Sequence, residues 1–366
     1  MSISALLRRA LVTLLSLLFF VTPVVAAAGA QMPICDGEEA TIYRQQTGGT
    51  VRGTPEDDVI MVDGGDVTIL GLAGDDRICQ QEDSEYFGFN TVKGGKGNDR
   101  IFTGWGRDTV KGGPGNDFIE TGPSGDIVDG GPGNDELNGG GGENVARFQG
   151  VGDVRVNLAE GIARTEKGTD GLNNFVGAWG GPGDDVLHGT PNKDRMNGGG
   201  GDDLVVGGRG NDSLQGGNGD DVIKGGKGVD QVNGGRGRDI VRGGDQIDVL
   251  KFNGPFPFEP TMRRDDPVRV NLYFGTARFR SARWKLSDVE NIRFAFDSST
   301  GDHILIGDAG PNRIHSDAGA DRLFGYGGND ELYGGSGHDR LNGGNGTDGC
   351  SGDKLEDCEK AYSWPS

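Results

Sequence analysis

The chain has 366 residues, with 56 Asp and Glu against 36 Lys and Arg, and a formal net charge of −20. That balance disfavours nucleic acid and anionic membrane surfaces as partners and suits cations. Its 72 Gly and 14 Pro approach the composition of disordered chains, and the feature that argues against disorder is the regular spacing of the glycine.

Residues 1–30 read as a cleaved export leader. Arg8 and Arg9 form the basic start, Leu11 to Val25 the apolar stretch, and Ala28-Gly29-Ala30 a small-residue cleavage site. Without the leader's two arginines, 34 basic residues face 56 acidic ones. Four cysteines, Cys35, Cys79, Cys350 and Cys358, lie towards the two ends. An even number in an exported chain points to disulfides. Three pairings exist, and Cys35 with Cys79 plus Cys350 with Cys358 needs the least chain travel.

From residue 53 onward a nine-residue frame recurs, G-G-x-G-x-D-x-U-x with U aliphatic. Ten units meet it in full, starting at Gly94, Gly112, Gly130, Gly180, Gly198, Gly207, Gly216, Gly225, Gly234 and Gly334. Partial units such as GTPEDDVIM at 53, GLAGDDRIC at 71 and GTPNKDRMN at 189 keep the phase. Eight units run without a gap from Gly180 to Lys251, each with aspartate at the sixth place. The frame divides the chain into an N-terminal cap (31–52), repeat blocks at 53–147, 180–251 and 307–349, and a C-terminal cap (350–366). Insertions at 148–179 and 252–306 separate the blocks. The insertions resemble each other, DVRVNLAEGIAR at 153 aligning with PVRVNLYFGTAR at 267. Alternation of Val154, Val156 and Leu158 with Arg155 and Asn157 predicts strands with one buried face. Their aromatics, among them Phe148, Phe175, Trp179 and Trp284, fit burial in a locally thicker core.

The glycine-rich six residues disfavour helix and permit a wide turn, and x-U-x is a short strand with U on one face. Turn and strand repeated give an all-β coil of stacked parallel strands, right-handed in its connections. One aliphatic residue in nine is a thin core, and stacked layers about 4.8 Å apart set aspartates against each other. A hard divalent cation offsets both: calcium takes six to eight oxygens, carboxylate and carbonyl alike, and its binding free energy becomes folding free energy. Magnesium prefers rigid octahedral sites with retained water. Zinc lacks ligands in this pattern, since His188, His303, His315 and His338 are scattered and read as repeat filler.

These units resemble the repeats-in-toxin (RTX) nonapeptide family. The resemblance covers about 50 to 349. It implies a right-handed parallel β-roll in which two nonapeptides make one coil and several calcium ions sit between alternate repeats. Carried over, one column of ligands holds Asp185, Asp203, Asp221 and Asp239, and the opposite one Asp194, Asp212, Asp230 and Asp248. In the first block Asp99, Asp117 and Asp135 form a column with Asp108 and Asp126 opposite, and Asp321, Asp330, Asp339 and Asp348 serve the last. Gln246 and Ser124 replace the third glycine beside Asp248 and Asp126, and Asn144 and Asn312 replace the aspartate, so weak or empty sites are expected there.

Neither G-x-S-x-G nor H-E-x-x-H occurs, and no non-repeat segment is long enough for an appended catalytic domain. The sequence reads as a secreted, extracellular calcium-binding protein that is not an enzyme, with no membrane insertion and no nucleic-acid partner. The other reading is a surface-adhesion or polysaccharide-binding module that uses the aromatic-rich insertions. The sequence does not define an oligomeric state.

Overall fold

A computed structural model describes residues 32–81, 88–245, 248–252, 268–271, 276–279, 282–287, 291–294, 302–316, 318–358 and 360–361. Between 251 and 294, and at 360–361, the path of the strands alone is described. The leader lies outside these residues. Every regular element among them is a strand, and no helix is long and apolar enough to cross a membrane.

Successive nonapeptides alternate between two sheets. Each strand pairs in parallel with the strand 18 residues on: Leu204 stands beside Val222 and Val222 beside Ile240 in one sheet, Arg195 beside Ser213 and Ser213 beside Gln231 in the other. We call the first of these sheet one; it begins at Ile42–Gln45 and ends at Lys354–Glu356. Among the described residues sheet two has 16 strands, from Thr50–Arg52 to Lys360–Ala361. A two-residue displacement along a strand returns to the same face, so the aliphatic at the eighth place points inward and its neighbours at places seven and nine point outward. Val205, Leu214, Ile223, Val232, Val241 and Leu250 are all buried between the sheets, within one apolar column that runs from Val51 to Cys350.

The two insertions share one topology, which accounts for their internal likeness. In the first, Arg155–Asn157, Ile162–Thr165 and Gly168–Asn173 form an antiparallel meander. Its last strand pairs with the earlier layer at Glu136–Asn138, and its first strand pairs with the later layer at Val186–His188. In the second, Val268–Asn271, Thr276–Phe279 and Ala282–Ser287 repeat the arrangement between Ile240–Asp245 and Ile304–Ile306. Each insertion therefore enters sheet one only. Sheet two passes straight from Val145–Arg147 to Gly177–Trp179, and from Val249–Phe252 to Asn291–Phe294. Both insertions are strand-rich, and the two sheets run on through them. Phe148 and Phe175 are buried in the core, whereas Trp179 is half-buried, at an outward position of sheet two, and the side chain of Trp284 lies outside the described residues.

Both ends are tied covalently, by Cys35–Cys79 across 44 residues and Cys350–Cys358 across 8. The first holds Ile34–Cys35 and Glu38–Glu39 against the outer face of sheet one, where Cys35, Ala40, Val59, Met61 and Cys79 form a second apolar cluster. Asp36 also pairs with Arg77 and Arg100, and Glu38 with Arg77. Cys350 fills an eighth-place position, fully buried beside Leu332. Loop-closure entropy assigns about 4 kcal/mol to the longer loop and about 2.5 kcal/mol to the shorter. Cys35→Ser/Cys79→Ser is accordingly expected to lower the thermal midpoint more than Cys350→Ala/Cys358→Ala, and scanning calorimetry of the two variants checks the order.

Candidate metal centre

The unit 216–224, GGNGDDVIK, shows how the repeat places its carboxylate. Asp221 stands just before the strand Val222–Lys227. Its N–H donates to Asp239 Oδ1 (3.0 Å), and its own Oδ1 accepts the N–H of Asp203 (2.9 Å). Its Oδ2 is buried and has no hydrogen-bond partner. A Cβ on Gly216 would overlap that oxygen and the carbonyl oxygen of Gly234 in the next layer. The absent side chain thus leaves a cradle in which a carboxylate oxygen and a main-chain oxygen converge. Gly217 (φ +127°) has a backbone that L side chains rarely adopt, and a Cβ there would strike the Gly199 carbonyl one layer back. First-place glycine makes room for the carboxylate; second-place glycine makes room for the neighbouring layer.

The same cradle recurs at Gly112, Gly198, Gly207, Gly225 and Gly325, with Asp117, Asp203, Asp212, Asp230 and Asp330 in the place of Asp221. In each of these aspartates Oδ2 is buried without a partner, as it also is in Asp76, Asp99, Asp135 and Asp239. A buried acceptor left unpaired is costly, and costlier when charged. Burial is the main reason these carboxyls are pushed up: Asp117 and Asp203 to about 8, and Asp76, Asp108, Asp170, Asp212, Asp221 and Asp239 to about 7. For Asp99, Asp126, Asp135, Asp185, Asp330 and Asp339 it raises the value to about 6. Asp194, Asp230 and Asp321 move in the same direction. The backbone N–H one layer back pulls Asp203 and Asp221 down in part, and the adjacent aspartates push them up again.

All seventeen sixth-place aspartates named from the frame, Asp126 and Asp248 included, are buried. Hydrogen bonds over 18 residues link them into the expected columns: Asp99 to Asp117 to Asp135, Asp185 to Asp203 to Asp221 to Asp239, Asp194 to Asp212 to Asp230, Asp321 to Asp339, and Asp330 to Asp348. The N–H of Asn90 donates to Asp108 Oδ1, which starts the remaining column. Two positions differ from the rest. Thr190 donates its N–H and hydroxyl to Asp194, and Gly181 donates its N–H to Asp185 Oδ2 (2.7 Å). Both oxygens of Asp185 and of Asp194 are therefore satisfied within the chain. Asp126 and Asp248, expected as weak positions, are as buried as their neighbours and accept the N–H of Asp108 and Asp230 at 2.8 Å. Ser124 supports Asp126 by adopting the positive φ (136°) of the glycine it replaces. Gln246 lies outside the described residues.

The columns also contain residues the frame did not single out. Asp76 and Asp58 extend the first column upward, through N–H donors from Asp58 to Asp76 and from Asp76 to Asp99. Asp170, on the last strand of the first insertion, accepts the Asp135 N–H (3.1 Å) and continues the column downward. The spacing Gly168-x-Asp170-x-Leu172 is the signal that marks it. His303 takes a sixth-place position, not a filler one: it is buried, burial pushes its pKa down to about 4, and its N–H donates to Asp321. Place five forms a second ladder in the opposite sense. The N–H of Asn116 donates back to Asn98 Oδ1, that of Asp202 to Asp184 Oδ1, and that of Asp220 to Asp202 Oδ1, at 2.7–2.8 Å.

No three His, Cys, Asp or Glu side chains converge on a metal-sized site among the described residues. An ion in these turns must therefore draw ligands from carboxylate Oδ2 and main-chain carbonyl oxygens together. That donor set is all oxygen, and it fits a hard cation with many ligands far better than zinc. Fold and turns together define a parallel β-roll with cation-binding turns. A family model, the RTX calcium-binding nonapeptide repeat, matches residues 52–79, 87–119, 111–146, 179–214, 215–250, 298–332 and 317–350. These matches span more than half of the chain, which belongs to the RTX calcium-binding nonapeptide repeat family. No curated protein matches it.

Proposed function

We propose that this is an exported, non-catalytic protein whose roll assembles on binding several calcium ions outside the cell. The observation that carries the reading is the buried, unpartnered Oδ2 facing a carbonyl oxygen across the first-place glycines Gly112, Gly198, Gly207, Gly216, Gly225 and Gly325. Asp99, Asp117 and Asp135 would hold ions in the first block, Asp203, Asp212, Asp221, Asp230 and Asp239 in the second, and Asp330 in the last. Asp185 and Asp194, already satisfied, serve as the closed ends of their columns. The remaining sixth-place aspartates, Asp108, Asp321, Asp339 and Asp348, belong to the same ladders and are assigned the same role. Calcium supplies positive charge and further coordination where the chain offers only oxygens. The leader at 1–30 and the two disulfides support export to an oxidising compartment.

Circular dichroism of residues 31–366, first with chelator and then with millimolar calcium, tests the reading. Strand signal should appear with calcium, and titration calorimetry should show several ions per chain. A spectrum identical under both conditions would refute calcium-driven assembly.

A further inference from the structure

We infer that the outer face of sheet two between Trp179 and Asn233 binds a linear, neutral polysaccharide. A groove of about 160 Å³ lies there, lined by Trp179, Arg195, Asn197, Ser213, Gln215 and Asn233 among others. The strands set these side chains in register: Trp179 beside Asn197, Asn197 beside Gln215, Gln215 beside Asn233, with Arg195 beside Ser213 in the adjacent column. One amide per layer, about 4.8 Å apart, presents paired donors and acceptors to a polymer lying along the roll.

The groove has no carboxylate in its lining, although the chain carries a net charge of −20. Trp179 stands half-buried at one end, with the Arg195 guanidinium over one face of its ring, 5.8 Å from the centroid. An indole beside a row of amides matches a pyranose ribbon, which offers C–H faces and hydroxyl edges. The pattern is local. In the same layers the ninth-place column of sheet one is His188, Val206, Lys224 and Arg242, and in the first block the ninth-place column of sheet two is Lys93, Lys111, Asp129 and Arg147. The repeat does not require amides at these positions. The inference rests on the fold and not on the ion.

Affinity electrophoresis of the chain 31–366 in calcium-containing gels tests it. The probes are hydroxyethylcellulose, a neutral linear β-glucan, and carboxymethylcellulose, its anionic counterpart. Retardation by the neutral polymer is expected, weakened about ten-fold or more in Trp179→Ala and in Asn197→Ala/Gln215→Ala. Both variants alter outward side chains and should keep the wild-type dichroism and calcium titration. Absence of retardation, retardation by the anionic polymer alone, or retardation equal in the variants would each overturn the assignment. Loss of calcium binding with glycan binding intact would instead count against the calcium reading.

Discussion

Gly216→Ala should unfold the middle of the roll, while Gly200→Ala should leave it almost untouched. Both residues are glycines of the second block, in adjacent layers of sheet two, and both substitutions add one methyl group. At Gly216 that methyl overlaps Asp221 Oδ2 and the Gly234 carbonyl. At Gly200 nothing lies closer than 3.9 Å and the backbone is one an L residue accepts. The first change closes an oxygen cradle and forces two layers apart, costing about 3 kcal/mol or more. The second should fall within about 0.5 kcal/mol of the parent. Urea titration in saturating calcium measures both, and calorimetry should show fewer ions bound by Gly216→Ala alone. Equal stabilities would mean that the first-place glycine does not serve the carboxylate.

The ion-free chain should be more structured in acid than at neutral pH, the reverse of ordinary acid denaturation. Sixth-place carboxyls such as Asp117, Asp203, Asp221 and Asp239 are raised to about 7 or 8 in the folded state. In the unfolded chain they titrate near 4. Between those values the folded state binds more protons than the unfolded one, so folding is favoured below about pH 4 and weakens as pH rises through the folded values. Several such groups together rival the whole stability of a domain. Dichroism of the metal-free chain should therefore lose strand signal between about pH 4 and pH 8. Saturating calcium should abolish that loss, because the ion supplies the charge the protons supplied. Metal-free strand content that grows with pH would contradict the burial of ionised carboxylates.

The frame legible in the sequence fixes much of this molecule because it carries the constraints of a single layer. Places one, two, four, six and eight each have a local steric or electrostatic reason, and the RTX resemblance, carried onto that frame, puts Asp203, Asp221 and Asp239 in one column. The cystine pairs followed from chain travel, and the structure forms both. Relations between layers and departures from phase were less visible. The place-five ladder through Asn98, Asn116 and Asn134 is written as an unconstrained position in the frame, because its partner is 18 residues away. Asp170 was hidden by an insertion that doubles back, so that its last strand, not its first, meets the preceding layer. The closed ends at Asp185 and Asp194 depend on N–H groups of Gly181 and Thr190 that composition does not single out.

Places seven and nine face away from both the core and the turns, and in the second block place nine reads His188, Val206, Lys224 and Arg242 on one side and Asn197, Gln215 and Asn233 on the other. Folding instructions and surface text are thus written at different letters of the same nine-letter word. A lineage can overwrite the surface letters of one layer without respelling its neighbours, and can do so independently on the two faces. Recognition can then change by single substitutions while the scaffold, and whatever ions it holds, stays constant.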